Sequence, residues 1–321
     1  MKKCYIVILN YKRWEDTVEC VASVLRSLYR PFTVIVVDNQ SGNGSLQHIA
    51  DALFPSGATA SPGGMPYFVR DANEIWHTSL DTKTLSRAAL TNAEGVVLLQ
   101  NDRNAGFAGG NNIVLSLLKE EDAWVWLLNP DMTVQPDTLG ALAAVAGRRI
   151  IAGAVLRSAD DHSKVLMYGG GRVNYWTGTI SFIERPEQLP ALHYIGGGSM
   201  LVHASAFGEV GLLPEDYFLY WEESDWCYAA LKKGYALQVS LDAVCYDKVS
   251  TTIGRGFLSD YFYTRNGLLF LKKYKPWGLP SALSLVLLRV VKKLLAGEGG
   301  RAKGVIKGAT DFLTKKRYEN Q

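Results

Sequence analysis

Apolar runs and polar breaks alternate along the chain in a way that predicts strands separated by helices. Residues 4–9 and 33–37 are short apolar runs typical of buried strands, and residues 17–29 repeat apolar side chains at helical spacing. Pro31 ends this helix, because proline cannot continue it. A strand–helix–strand unit of this kind indicates a parallel pair with a right-handed crossover.

The same alternation continues through most of the chain. It predicts strands over residues 96–100, 124–128, 150–156 and at the end of 193–202. It predicts helices over residues 45–53, 113–118 and 138–146, and one that begins near Ser224 and ends at Gly234. Glycines at 169–171 and 178 indicate a hairpin over residues 166–184. Residues 55–93 form an insertion, weakly helical over 80–90, to which the sequence assigns no role.

The last part of the chain is expected to be helical and basic. Residues 257–321 contain 13 Lys and Arg against 4 Asp and Glu, whereas residues 1–256 contain 21 against 27. Helices are predicted over residues 261–273 and 279–291, and the second is shorter than the roughly 20 residues of a bilayer span. Residues 279–317 therefore suggest an amphipathic anchor on an anionic membrane surface. A packed helix with a solvated lysine face is the alternative, and no base-stacking motif supports nucleic-acid binding.

Polar residues follow three of the predicted strands. Asn10 follows the first strand, Asp38 follows the second, and Asp131 follows a strand that breaks at Asn129 and Pro130. In α/β sheets, ligands bind at the carboxyl ends of strands, where a carboxylate after the second strand can accept hydrogen bonds from a nucleoside. A single hard oxygen ligand such as Asp131 suits Mg²⁺ or Mn²⁺ shared with a diphosphate. The alternative is a loop aspartate that caps the next helix.

Two further stretches carry candidate chemistry. Residues 104–112 (NAGFAGGNN) place small residues before a helix, where backbone N–H groups can approach an anion or a sugar. Residues 217–227 (YFLYWEESDWC) combine aromatic rings, which stack on sugars, with three acids at a helix start. A solvated acidic patch with a Ser224 cap is the alternative. The four cysteines and five histidines show no metal-ligand spacing, which disfavours a zinc site.

Four motifs in order resemble those of the family 2 glycosyltransferases of the GT-A fold, in particular the bacterial rhamnosyltransferase-like branch. They are VVDNQS (36–41), NAGFAGGNN (104–112), LLNPDM (127–132) and YFLYWEESDWC (217–227). The resemblance covers about residues 4–275. It implies an α/β fold with a Rossmann-like, mostly parallel sheet flanked by helices. The expected organisation is a GT-A domain over residues 1–256 and a basic helical extension over 257–321.

The resemblance implies inverting transfer from a nucleotide-activated sugar to an acceptor hydroxyl. Asp131 matches the last carboxylate of the family's metal-binding motif, and Asp247 is a second expected oxygen ligand of Mg²⁺ or Mn²⁺, near a position where the family often has histidine. Glu223 lies at the position of the general base, usually an aspartate, and Glu222 and Asp225 compete for this role. Donor contacts are expected from Asn10, Asp38, Asn39, Asn104, Gly106, Gly109, Asn112 and Asn129.

The donor expected from the resemblance is dTDP-rhamnose, followed by UDP- and GDP-sugars. The acceptor is expected to be a glycan or a polyprenyl-linked glycan in cell-surface polysaccharide synthesis, on the cytoplasmic face of the membrane. One alternative is a nucleotidyltransferase acting on sugar phosphates, disfavoured because residues 10–16 contain no glycine for a phosphate loop. Another is a non-catalytic sugar- or membrane-binding module, against which the retained Asp131 and Glu223 argue.

Overall fold

The structure is a computed structural model that describes residues 1–54, 69–70, 76–81, 85–93, 95–248, 256–316 and 318. Its strands are β1 (Cys4–Asn10), β2 (Phe32–Asp38), β3 (Val69–Arg70), β4 (Trp76–Asp81), β5 (Gly95–Gln100), β6 (Trp124–Leu128), β7 (Met132–Val134), β8 (Ile150–Ser158), β9 (Val165–Tyr168), β10 (Gly170–Asn174), β11 (Thr179–Phe182), β12 (Tyr194–Ile195), β13 (Ser199–His203) and β14 (Ala236–Asp247). Its helices are α1 (Trp14–Leu25), α2 (Ser45–Leu53), α3 (Arg87–Thr91), α4 (Gly106–Leu118), α5 (Thr138–Val145), α6 (Ser205–Glu209), α7 (Glu222–Lys232), α8 (Phe257–Tyr274), α9 (Leu279–Leu295) and α10 (Gly299–Leu313).

The strands of the first half form the parallel sheet that the sequence predicted. β1 lies between β2 and β6 and is parallel to both. β5 and β4 continue the sheet beyond β2, also in parallel. The carboxyl ends of β1, β2, β5 and β6 consequently lie at one edge, where α/β sheets bind their ligands.

The second half of the sheet is mixed, so the expectation of a mostly parallel sheet holds for the first half only. β13 is antiparallel to β6 and β8, β14 is parallel to β8, and β7 pairs antiparallel with β14. The predicted hairpin is present as β10 and β11, and β10 also pairs with β12 to complete a small second sheet. The β7–β14 pair brings the end of β14 next to the chain that follows β6.

The central strands are buried on both faces. Tyr5 and Val7 belong to a core that includes side chains of α4 and α7, whereas Cys4, Ile6 and Ile8 belong to a core that includes α1 and α2. Burial on both faces explains why these strands are continuous apolar runs. All four cysteines are free and buried, as expected for small core side chains.

Helices α8, α9 and α10 share a separate apolar core. Leu268 and Leu271 of α8 cluster with Val286 of α9 and with Val305 and Phe312 of α10. Within the described residues, no helix is both long and apolar enough to cross a membrane. The domain boundary expected at residue 256 stays a prediction.

Most predicted elements match within a few residues, and the largest difference is the start of α4. The sequence predicted this helix from residue 113, because glycines disfavour helix formation, but it begins at Gly106. The weak helix expected over residues 80–90 is present only at its end, as the short α3, whereas residues 80 and 81 belong to β4. The rest of the insertion lies outside the described residues.

Candidate active site

Polar residues at the ends of β1, β2 and β5 form one hydrogen-bonded group. Asp38 is the register partner of both Asn10 and Gln100. Its carboxylate accepts hydrogen bonds from Asn10 Nδ2 at 2.6 Å and from Gln100 Nε2 at 2.9 Å. The backbone N–H of Ser41 adds a third at 3.0 Å. This network fixes the Asp38 carboxylate at the edge where the sequence predicted a nucleoside.

Asn39 holds the turn that leads into α4. Its Oδ1 accepts hydrogen bonds from Asn101 Nδ2 and from the backbone N–H of Ala105, both at 3.1 Å. Its Nδ2 donates to Asn104 Oδ1 at 2.9 Å and to the Gly106 carbonyl at 3.1 Å. Asn104 Oδ1 also accepts a hydrogen bond at 3.0 Å from the N–H of Gly106, the first residue of α4. Asn39 and Asn104 therefore shape this turn, and their predicted donor contacts stay predictions.

The glycine-rich stretch meets the acidic motif at Gly106. The backbone there has a φ of 72°, and an added Cβ would lie 2.3 Å from the Phe218 carbonyl oxygen. The Phe107 N–H donates to the same carbonyl at 2.8 Å. Gly109, one turn later, packs closely against Ala105. These glycines permit close packing at the start of a helix, and their predicted contacts with the donor stay predictions.

Asn112 joins α4 to the segment before α7. Its Nδ2 donates to the Leu213 carbonyl at 2.9 Å and to Glu215 Oε1 at 2.8 Å. Its Oδ1 accepts the Leu213 N–H at 3.0 Å. Because both ends of the buried amide are engaged, Asn112 holds α4 against the segment before α7, and its predicted donor contact stays a prediction.

Asp131 and Asp247 are brought together by the β7–β14 pair. Asp247 is the register partner of Met132, the residue after Asp131. Burial and the charge of Asp247 raise the pKa of Asp131 to about 6. The nearby Lys248 ammonium pairs with Asp16 at 2.7 Å. The two strand-end carboxylates therefore repel each other, and a cation bound between them would relieve this repulsion.

The carboxylate pair fits Mg²⁺ or Mn²⁺ shared with a diphosphate. Both cations accept hard oxygen ligands, and Mg²⁺ is usually held by one or two carboxylates together with phosphate oxygens and water. Among the described residues, no group of three or more His, Cys, Asp or Glu could hold a metal. The remaining ligands would consequently come from the substrate and from water.

A cleft of about 590 Å³ contains Asn129, Asp247 and the two adjacent glutamates of α7 in its lining. Asp131 is not among the residues that line this cleft, although the next residue, Met132, is. The aromatic part of the wall consists of Phe107, Phe182, Tyr194, Tyr220, Trp221 and Tyr263. Such rings suit the apolar faces of a sugar, and the carboxylates suit its hydroxyl groups.

The first two residues of α7, Glu222 and Glu223, place their carboxylates in different environments. Burial raises the pKa of Glu223, although N–H groups of Ser224 and Gly197 act in the opposite direction. Glu222 is 3% exposed, and its Oε2 has no hydrogen-bond partner in the described part of the chain. Burial and the Glu223 charge raise the pKa of Glu222 well above its usual value. Backbone N–H groups thus support the ionised form of Glu223, whereas one oxygen of Glu222 has no such partner among the described residues.

Asp225 has a structural role in the contact between α7 and α8. Its carboxylate accepts hydrogen bonds from Tyr217 Oη at 2.7 Å and from Tyr274 Oη at 2.8 Å. The Lys273 ammonium lies 2.9 Å from both carboxylate oxygens. Asp225 does not line the cleft, and it anchors α7 to α8. The structure therefore does not favour Asp225 as the base, although no measurement tests the assignment.

The loop before α7 is held in an unusual conformation by α8. Phe218, Tyr220 and Trp221 have φ values of 64°, 64° and 81°, which are rare for bulky residues. The fully buried Asn266 donates through Nδ2 to the carbonyls of Leu219 at 2.7 Å and Tyr220 at 3.0 Å. Asn266 therefore positions the residues that form one wall of the cleft.

Sequence reasoning did not assign roles to several residues of this site. They are Tyr194, Tyr263, Asn266, Arg289 and Arg301, of which all but Asn266 line the cleft. The sequence feature that could have identified Asn266 is a polar residue within a largely apolar helical segment. The others carried no local signal, because their place depends on how distant segments pack.

Comparisons with known proteins bear on this geometry. Residues 5–82 match the model of the family described as Glycosyl transferase family 2. The chain is 31% identical over 168 residues to an N-acetylglucosaminyl-diphospho-decaprenol L-rhamnosyltransferase of Mycobacterium tuberculosis, covering 43% of this chain and 54% of that protein. It is 26% identical over 136 residues to the low-salt glycan biosynthesis hexosyltransferase Agl10 of Haloferax volcanii, covering 40% of this chain and 44% of that protein. The chain thus spans about half the length of the curated relatives it matches.

Solved structures share the fold at low sequence identity. The mannosyltransferase PcManGT from Pyrobaculum calidifontis, in complex with GDP-Man and Mn²⁺, matches with a TM-score of 0.56 and 15% identity, covering 98% of this chain and 88% of that one. GalNAc-T7 with UDP, GalNAc and Mn²⁺ matches with a TM-score of 0.51 and 15% identity, covering 84% and 51%. The fold prediction is confirmed, since these neighbours have the GT-A fold. The family match over residues 5–82 and the relatives support the predicted resemblance to glycosyl transferase family 2 and its rhamnosyltransferase-like branch.

Proposed function

We propose that this protein is an inverting glycosyltransferase that moves a sugar, with rhamnose as the first candidate, from a nucleotide-sugar donor to a hydroxyl of a glycan or polyprenyl-linked acceptor. The observation that carries the proposal is one cleft lined by Glu223, Asp247 and aromatic rings. The relative from Mycobacterium tuberculosis supports rhamnose and a lipid diphosphate acceptor, because its name contains both. The proposed setting is cell-surface polysaccharide synthesis.

In this proposal Glu223 is the general base. The acceptor oxygen attacks the anomeric carbon as the bond to the nucleoside diphosphate breaks, and the hydroxyl proton passes to the Glu223 carboxylate. A raised pKa favours proton acceptance, provided that the carboxylate is ionised at the working pH. The Ser224 and Gly197 amides support the ionised form. Asn266 acts on the same wall indirectly, by holding the preceding loop.

Asp131 and Asp247 are the residues that would hold Mg²⁺ or Mn²⁺. When bound, such a cation neutralises charge on the leaving diphosphate. The Asp38 network at the ends of β1, β2 and β5 would orient the nucleoside from the same edge of the sheet. The Mn²⁺ in the two structural neighbours supports a divalent cation here.

Peripheral attachment to an anionic membrane is also part of the proposal. Helix α9 exposes five large apolar side chains, Leu287, Leu288, Val291, Leu294 and Leu295, at 52–83% of their surface. The exposed rings of Trp176 and Trp277 contact each other at 4.4 Å between centroids. Aromatic rings, apolar side chains and flanking lysines are the composition of helices that lie in a membrane interface.

A panel of nucleotide sugars tests the function. Purified protein with Mg²⁺ or Mn²⁺ is expected to hydrolyse one of dTDP-, UDP- or GDP-sugars slowly without acceptor. Conversion of a nucleotide sugar and added pyrophosphate to a nucleoside triphosphate and a sugar 1-phosphate would instead indicate the nucleotidyltransferase alternative. No turnover of any donor, with and without acceptor, would favour a non-catalytic binding module.

The Asp131→Asn variant tests the metal assignment in the same assay. Loss of this carboxylate is expected to lower turnover by orders of magnitude and to weaken metal-dependent binding of the nucleoside diphosphate. Asp242→Asn, an exposed change on β14, is the matched control. Full activity of Asp131→Asn in EDTA would contradict the assignment.

A further inference from the structure

A basic group belongs to the same cleft as the proposed base. Arg289 of α9 and Arg301 of α10, here called the arginine pair, both line the cleft, together with Asp260 and Tyr263 of α8. The Arg289 guanidinium lies 5.0 Å from the centre of the Tyr263 ring. Tyr263 in turn contacts Trp221, the residue before α7, at 6.2 Å between ring centroids. The wall is therefore continuous from the start of α7 to the arginine pair.

The arginine pair and the neighbouring Lys293 together carry one more positive charge than their two carboxylate partners balance. Asp260 Oδ1 accepts from Arg289 at 3.3 Å and lies 3.0 Å from the Lys293 ammonium. Asp260 Oδ2 accepts from Arg301 Nε at 2.7 Å, and Glu298 accepts from Arg301 Nη1 at 2.8 Å. Three cations thus share two carboxylates. Within the described residues, Arg289 Nε and Nη1 and Arg301 Nη2 make no hydrogen bond, so donors remain for an anion.

The same helix that supplies Arg289 supplies the exposed apolar surface. Leu287 and Leu288 precede Arg289 directly and are 69% and 58% exposed, and Val291 follows at 52%. An anion bound at the arginine pair would therefore have a sugar-sized cleft on one side and an apolar helix surface on the other. A diphosphate with a sugar at one end and a long hydrocarbon at the other matches this order.

We propose that Arg289 and Arg301 form the subsite for the diphosphate of a lipid-diphosphate-linked acceptor. The inference rests on the proposed function and specifies how the acceptor is recognised. The sugar of the acceptor extends along the aromatic wall toward Glu223, and the lipid leaves the subsite along α9. Arginine suits this task, because its planar fork donates two hydrogen bonds to phosphate oxygens.

Direct binding without turnover tests the subsite. The ligands are farnesyl diphosphate, farnesol as its uncharged counterpart, and the nucleoside diphosphate of the preferred donor with Mg²⁺, or dTDP, UDP and GDP in turn if no donor is turned over. Arg289→Gln is the first variant, because its bond to Asp260 is the longest and two other cations stay on that carboxylate. Lys292→Gln, an exposed change on the same helix, is the matched control. Thermal melting confirms that each variant folds, and Arg301→Gln repeats the test from α10.

The expected result is that Arg289→Gln weakens farnesyl diphosphate binding about tenfold or more, and leaves farnesol and nucleoside diphosphate binding within about twofold. Lys292→Gln should leave all three unchanged. Equal farnesyl diphosphate affinity in Arg289→Gln and Lys292→Gln overturns the proposal. The proposal is also overturned if Arg289→Gln weakens nucleoside diphosphate binding and leaves farnesyl diphosphate binding unchanged. That result would assign the arginine pair to the donor. Farnesyl diphosphate binding that depends on Arg289 in a protein without transferase activity would uphold the subsite and refute the proposed function.

Discussion

At the scale of single residues, the two glutamates that begin α7 differ in what their surroundings allow. Glu223 has backbone N–H groups beside its carboxylate, whereas one oxygen of Glu222 is buried without a partner among the described residues. Only an ionised carboxylate can accept a proton from an acceptor hydroxyl. This difference favours Glu223 as the base, and burial together with the Glu223 charge raises the pKa of Glu222.

Glu223→Gln is expected to lower kcat by about 10² to 10⁴, the usual contribution of a general base. Donor affinity should change little, because the base acts on the acceptor. The wild-type rate should rise with pH to a plateau, since burial raises the pKa of Glu223 and the base works only when ionised. Steady-state kinetics over pH 5–9 would measure both effects. Unchanged kcat in Glu223→Gln, with loss of kcat in Asp225→Asn, would make Asp225 the base.

Glu222→Gln is expected to stabilise the fold increasingly as pH rises. The folded pKa of Glu222 lies well above its unfolded value of about 4.3, so its contribution to stability is complete below pH 4 and is lost as pH rises through the folded pKa. Glutamine does not ionise and avoids this loss. Melting temperatures of the two proteins at several pH values test the prediction. A difference in melting temperature that stays constant between pH 4 and 8 would contradict it.

At the scale of elements, α8 is distant from the site in sequence but contacts it in the folded protein. Its residues Asn266, Lys273 and Tyr274 hold the loop before α7 and the Asp225 carboxylate. The sequence placed a polar residue at 266 on a helix, but its partners lie more than 40 residues away. Local patterns contain no information on such contacts.

Asp225→Asn is expected to destabilise the protein by about 1–3 kcal/mol, because the hydroxyls of Tyr217 and Tyr274 and the half-exposed Lys273 ammonium lose an ionised acceptor. The melting temperature should fall, while kcat at a temperature where the variant is folded should stay near that of the wild type. Asp242→Asn on β14 is the matched exposed control. Equal stability of both variants would show that the contacts of Asp225 contribute little.

The elements at the carboxyl-end edge of the sheet, where the substrate is proposed to bind, were predicted from the sequence with different accuracy. Strands β1, β2 and β5 were predicted within a residue or two, because burial on both faces makes them continuous apolar runs. The start of α4 was not predicted, because Gly106 and Gly109 suggest a loop. Their presence in a helix is explained only by the close contacts with Phe218 and Ala105 in the fold. The proximity of Asp131 and Asp247 also required the β7–β14 pairing.

At the scale of the whole molecule, α9 contributes both to the cleft, through Arg289, and to the exposed apolar surface, through the residues next to Arg289. If the proposed acceptor is lipid-linked, it has to be reached at a membrane surface, and the proposal therefore predicts that the protein binds there through α9. The basic excess of residues 257–321 predicts a preference for anionic lipid, with about 1 kcal/mol for each lysine or arginine near the surface.

Flotation with anionic and neutral liposomes measures this preference. The wild type is expected to float with anionic vesicles, and a Leu287→Ser, Leu288→Ser and Leu295→Ser triple variant is expected to lose most of that binding. Leu241→Ser, an exposed change on β14, is the matched control. Equal binding of the wild type to both vesicle types, or to neither, would argue against the membrane assignment.

The contacts of α8 decide which part of the chain can work alone. A protein shortened at residue 256 would lose the hydrogen bonds of Asn266 to the loop before α7 and the ion pair of Lys273 with Asp225. Every proposed base and metal ligand would nevertheless remain. A protein ending at Tyr274 would keep those contacts but would expose Leu268 and Leu271 to water. The minimal transferase is therefore expected to extend through α10, and the C-terminal helices cannot be treated as a removable membrane tag.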